Sequence, residues 1–131
     1  MQKLGQILSD RGSKYAVSGC AVTDRAEIDA ALKTLKREKA YAKATHNTWG
    51  ALLSADGPLK ADDGESGAGM VILRMLEREG LQDHLVVVTR WYGGKHLGGD
   101  RFRHVQTCVR FYLDALSNAQ GNGREKAGRG R

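Results

Sequence analysis

No run of this sequence approaches the ~18 consecutive apolar residues that a membrane-spanning helix needs, and the opening MQKLGQILSD holds no apolar stretch resembling an export signal. A helical membrane protein is thereby excluded, no membrane partner is expected, and the cytoplasm is the expected location. Cysteine is scarce as well: Cys20 and Cys108 sit inside apolar patterns, without C-x-x-C spacing or a partnering pair of histidines. Neither a zinc centre nor a disulfide framework follows from such a pattern, and two buried thiols are expected. Internal repeats, the G-x-x-x-x-G-K-[ST] spacing of a phosphate-binding P-loop, and a serine or cysteine nucleophile spaced to work with His46 are all missing.

What is present fits one domain: 131 residues can bury one core but not two. The formal charge of +6 invites a nucleic-acid reading, because lysine and arginine clusters neutralise phosphates. Its distribution weakens that inference. Residues 117–131 set Arg124, Lys126, Arg129 and Arg131 against Glu125 alone, so half of the excess lies in a Gly-rich segment. That segment is too polar to offset its ordering entropy and is expected to be a disordered tail, with the domain over residues 1–116. A solvated tail is the plainer account and an electrostatic arm for RNA the sharper one.

Along the chain, Met1 to Asp10 is expected to be a peripheral strand or arm. KYAVSGCAV at residues 14–22 alternates as a strand with one covered face. Asp24 with Glu27 forms a capping box, and Ile28, Ala31, Leu32 and Leu35 make the apolar stripe of a helix running to about Glu38. A strand over residues 44–54, the turn Asp56-Gly57-Pro58 and a short strand near Leu59 make a hairpin. A second helix follows Gly69, with the stripe Ile72, Leu73 and Leu76 and a stop at Gly80. Leu85-Val86-Val87-Val88 is an unbroken run suited to a strand covered on both faces or central in a sheet. The last helix begins near Asp100 and carries Phe102, Val105, Val109, Tyr112 and Leu116 on one stripe. The expected fold class is α+β, two-layer, with a mixed or antiparallel sheet of about four strands and its helices on one face.

Three segments hold more polarity or glycine than architecture requires: Thr45-His46-Asn47, Asp62 to Gly69, and Arg90-Trp91-Tyr92-Gly93-Gly94 continuing to Leu97-Gly98. A Gly-rich approach to a helix start can cradle an anion on unpaired backbone N–H groups. The plainer account is a tight turn with carboxylates that cap the helix. Asp62, Asp63 and Glu65 are alternatively oxygen ligands for Mg²⁺. His46 is either a general base or simply a hydrogen-bonded strand histidine. Trp91 and Tyr92 read as a base-stacking platform, a protein-binding anchor or core packing.

Taken in order, ATHN, DDGE followed by small residues, and VVVTRWYGG followed by LGGDRFRH resemble the IMPACT family, known in bacteria as YigZ-like, over roughly residues 9–113. RWYGG with DRFRH resembles the eukaryotic branch more than the bacterial one, which usually reads RYFGG. Lys95-His96 and Trp49-Gly50-Ala51 depart from the family pattern, the first by adding positive charge beside the glycine turn. The resemblance implies a fold like ribosomal protein S5 domain 2. In the eukaryotic branch this ancient domain follows an RWD domain that competes for the activator of a starvation-sensing kinase. Bacterial relatives add a ferredoxin-like domain, and neither addition is recognised in this sequence. What the resemblance implies is a regulator of translation that binds a protein partner in a stress or starvation kinase pathway, with actin among the family's contacts, and that is not an enzyme. It carries no catalytic residue, metal or cofactor. Thr45, His46, Asn47, Asp63, Glu65, Arg90, Trp91, Lys95 and Arg101 form the expected binding surface. RNA or ribosome binding through Lys95, Arg101, Arg103 and the tail is one alternative, and an enzyme holding a metal between Asp63 and Glu65 for a phosphorylated substrate is another.

Overall fold

The apolar run Leu85–Val88 belongs to the middle strand of a five-stranded sheet. In the computed structural model, which describes the backbone of residues 1–129 and the side chains of residues 1–119, β5 (His84–Trp91) is paired with β2 (Ser13–Ala21) on one side and β3 (His46–Leu53) on the other. β1 (Gln2–Asp10) and β4 (Gly57–Ala61) form the edges, giving the order β1-β2-β5-β3-β4 with every pairing antiparallel. The opening segment is therefore a full edge strand, and the sheet has five strands where about four were expected.

Alternation along β2 and β5 sends Tyr15, Val17, Val86 and Val88 to one face and Ala16, Leu85 and Val87 to the other. The first face is covered by α3 (Ala68–Glu79) and α4 (Asp100–Arg129) through Ile72, Leu76, Val105, Val109 and Tyr112. The second is covered by α1 (Arg25–Lys36) and a four-residue α2 (Lys39–Ala42) through Ile28, Leu35 and Tyr41. The α+β class stands, but the expectation of helices on one face is corrected: they cover both. The reason is topological. The parallel crossovers from β2 to β3, over β5, and from β4 to β5, over β3, would put α1 and α3 on one face if they had the same hand; they have opposite hands, so each helix lies on its own side. α4 runs past residue 116, and the side chains of residues 120–131, most of the expected tail, lie outside the described residues.

Local signals act as the residue types require. Asp24 Oδ1 accepts from Glu27 N (2.8 Å) at the start of α1, while Glu27 reaches back to Thr23 N (2.6 Å) rather than to the cap residue itself. Gly80 closes α3 at φ 66°. Cys108 is buried, and burial pushes its thiol up to about 12, whereas Cys20 is only half-buried, a partial correction to the expectation for both.

Two glycines matter for close approach. A Cβ on Gly93 would lie 2.0 Å from the carbonyl carbon of Gly12, so the turn after β5 rests directly on the turn between β1 and β2. A Cβ on Gly19 would lie 2.4 Å from Cζ of Tyr112, which crosses β2 there to meet His84 Nε2 at 2.7 Å. We expect Gly19→Ala to destabilise the chain by about 1–3 kcal/mol, because the backbone or the tyrosine must move, and urea denaturation will measure it. Burial also raises the hydroxyls of Tyr15 and Tyr112 from 10.0 to about 12. The folded chain then keeps protons that the unfolded chain loses above pH 10, so stability should decline between about pH 10 and 12. Thermal scans of Tyr112→Phe should show a shallower decline; an identical slope would contradict that assignment.

Candidate functional site

At one end of the sheet, on the α3 and α4 face, the cross-strand register sets Arg90 opposite Tyr15 on β2 and His46 on β3. The DDGE turn folds Glu65 onto this row. Glu65 and Arg90 are 2% and 5% exposed, and Arg90 Nη1 donates to both carboxylate oxygens at 2.9 and 3.1 Å. Arg90 Nη2 donates to Ser13 Oγ at 3.3 Å, while its Nε is buried without an acceptor. His46 donates from Nδ1 to the Asp63 carbonyl (2.8 Å), which turns Nε2 towards Glu65 Oε2 at 3.5 Å. From the start of α4, Arg101 brings Nη1 to 3.7 Å of Glu65 Oε1 and donates from Nε to the Gly98 carbonyl (3.0 Å). Above these groups opens a hollow of about 420 Å³, walled by buried Leu97 and by Tyr92 and His96. The Tyr92 ring lies 5.7 Å from the Arg90 guanidinium and 5.7 Å from the His96 ring.

The carboxylates of the DDGE turn go to three different partners. Asp62 accepts from Gly67 N (3.0 Å) and Gly69 N (2.8 Å), and these backbone bonds, that of Gly67 above all, lower its carboxyl below the usual range. It occupies the N-terminus of α3, whose cap residue Gly67 has no side chain to do so. Asp63 accepts from Asn47 N (2.6 Å), and Glu65 holds Arg90. Among the described residues no group of three metal-ligating side chains converges. The helix start is thus filled by the chain's own carboxylate, and neither an anion cradle there nor a metal held by Asp63 and Glu65 fits this geometry. The turn that presents Glu65 requires left-handed backbone at Asp63 (φ 50°) and Gly64 (φ 87°).

Of the nine residues expected on the surface, His46, Glu65, Arg90 and Arg101 meet at the hollow. The rest do not line it. Trp91 points to the opposite face, where Nε1 donates to the Ala40 carbonyl (2.9 Å) and the indole meets Tyr41 edge-on. Asn47 is buried on that same face, bonded to the Tyr41 carbonyl and Thr89 Oγ1. Thr45 Oγ1 accepts from Tyr92 N (2.9 Å), and Asp63 supports His46 from behind. Lys95 is exposed and stands apart. Strand parity explains this division: Arg90 shares a face with Val86 and Val88, so Trp91, its immediate neighbour, must face the other way. The lining residues outside that expected surface are Gly64, Tyr92, His96, Leu97 and Gly98, and parity counted from Val88 is a signal for Tyr92.

The Impact N-terminal domain model matches residues 11–113. A protein IMPACT homolog from Caenorhabditis elegans is 35% identical over 116 residues, covering 83% of this chain and 45% of that protein. The homolog from Saccharomyces cerevisiae is 33% identical over 108 residues, covering 79% of this chain and 42% of that protein. The chain therefore spans less than half the length of these two curated relatives. The solved structure of the two-domain translational regulator Yih1 is similar, with a TM-score of 0.53 and 31% identity over 83% of this chain and 44% of that one. A crystallised hypothetical protein shares the fold at a TM-score of 0.75 and 22% identity, over 83% of this chain and 56% of that one.

Breaking the ion pair should be costly. Removing one member of a buried pair strands the other, so Glu65→Ala should lower stability by about 3–5 kcal/mol in chemical denaturation, whereas Arg101→Ala, at the solvent edge, should cost less than about 1 kcal/mol. Equal losses for the two variants would contradict the division between floor and rim.

Proposed function

Because this chain belongs to the IMPACT family, we propose that it regulates translation by binding a protein partner, and that the partner docks on the rim of the hollow. The observation that carries this reading is the juxtaposition of half-exposed Tyr92, 42% accessible, with partly exposed Arg101 around a concave floor. Tyrosine and arginine dominate binding energy at protein interfaces because each combines a large contact area with directional donors. The translational role is carried over from the similar translational regulator Yih1, and a stress or starvation kinase pathway in the cytoplasm is the proposed context. Binding is favoured over catalysis because the floor groups are already engaged with one another: Glu65 with Arg90, and His46 Nδ1 with a backbone carbonyl.

Immobilised wild-type chain should recover from a translation-competent lysate a partner that the Tyr92→Ala, Arg101→Ala double variant recovers at least about tenfold less. Reporter synthesis in that lysate should respond to the wild type and not to the variant. Identical recovery by both proteins, or a reporter indifferent to both, would reject the reading. Trp91→Ala serves as the contrast, since its loss should act through packing against Tyr41 and appear first as reduced stability.

A further inference from the structure

The hollow holds more cationic capacity than its own carboxylate uses. Glu65 takes both short contacts of Arg90 Nη1, which leaves Arg101 Nη1 at 3.7 Å, beyond hydrogen-bond reach. Arg90 Nε is buried with no acceptor, in a residue 5% exposed that lines the hollow. A buried guanidinium N–H without an acceptor is costly, so the Arg90 guanidinium is not saturated by the groups around it. With the histidines left out of the count, two arginines against one glutamate leave the hollow an excess of a single positive charge. Other arginines nearby do not share this surplus. Arg11 is held by Asp10 and Asp100, Arg103 by Asp100 (3.2 Å), and Arg110 by Glu79 (2.8 Å) and Asp114 (3.0 Å).

We propose that this hollow receives one carboxylate, the side chain of an aspartate or glutamate on the partner protein, with Arg101 closing on it in front of the Arg90 guanidinium. The proposal rests on the protein-binding reading above and specifies its recognition chemistry. A monoanion matches the excess of one charge, whereas a dianionic phosphate would exceed it and meet Glu65 at the floor. A polynucleotide needs cations in succession, and the neighbouring arginines are already neutralised by their own carboxylates. Buried Leu97 and the Tyr92 ring supply apolar walls for the methylene stem that carries such a carboxylate.

The test is a nuclear magnetic resonance titration of the full chain, labelled with nitrogen-15, at constant ionic strength. The probes are an acetylated, amidated alanine–glutamate–alanine tripeptide, its glutamine counterpart, inorganic phosphate and oligouridylate. The glutamate tripeptide should shift the Arg101 side-chain resonance and the Gly64 and Gly98 amides saturably. The response should be at least about tenfold weaker for the glutamine tripeptide and for Arg101→Gln. Equal response to the glutamine tripeptide, or tighter binding of phosphate or oligouridylate at these resonances, overturns the proposal. Carboxylate capture with no partner recovered from lysate would overturn the regulatory reading alone. A partner still recovered by Arg101→Gln but lost by Tyr92→Ala would overturn carboxylate capture alone.

Discussion

The buried pair of Glu65 and Arg90 is the constraint around which this end of the molecule is arranged. Two charges withdrawn from water repay their desolvation only if geometry is good and the remaining donors are matched. Here the carboxylate comes from the loop between β4 and α3, the guanidinium from β5, and the supporting hydroxyl, Ser13 Oγ, from β2. The pair therefore clasps three segments distant in sequence. It also explains the glycines beside it. Gly64 supplies the positive φ that turns Glu65 inward, and Gly93 lets the strand after Arg90 lie on the backbone at Gly12.

The sheet divides the labour between its faces. One face carries Tyr15, Arg90 and His46 towards α3 and α4 and ends in the open hollow. The other packs Trp91, Tyr41 and Trp49 with α1 and α2. Central β5 serves both, which is why its run from Leu85 to Val88 is apolar without alternation. A roomier groove of about 560 Å³ runs between α3 and α4, lined by Met75 and half-exposed Phe111. Two arginines line it, Arg78 and Arg110, and the second is held by Glu79 and Asp114.

Much of this was legible from residue order. The cap at Asp24, the stop at Gly80, the hairpin around Gly57-Pro58 and the buried strand at Leu85 follow from interactions that span only a few residues. Short-range chemistry of that kind leaves its mark in short-range sequence. The motifs also sufficed to recognise the family, and four of the nine surface residues meet at the hollow. Trp91, one residue out of phase with Arg90, packs on the opposite face, which its size and aromaticity do not disclose.

By itself the sequence determined the α+β class, the central strand and the identity of the charged groups available to a site, since periodicity and residue chemistry are local properties. Only the tertiary structure decided that helices lie on both faces, because that depends on the hand of each crossover, and the two crossovers here have opposite hands. It alone assigned the three carboxylates of the DDGE turn to a helix start, a strand amide and an arginine. Those assignments turn on contacts between residues as far apart as Ser13, Glu65 and Arg90, and electrostatic pairing across such distances leaves no periodic trace in the chain.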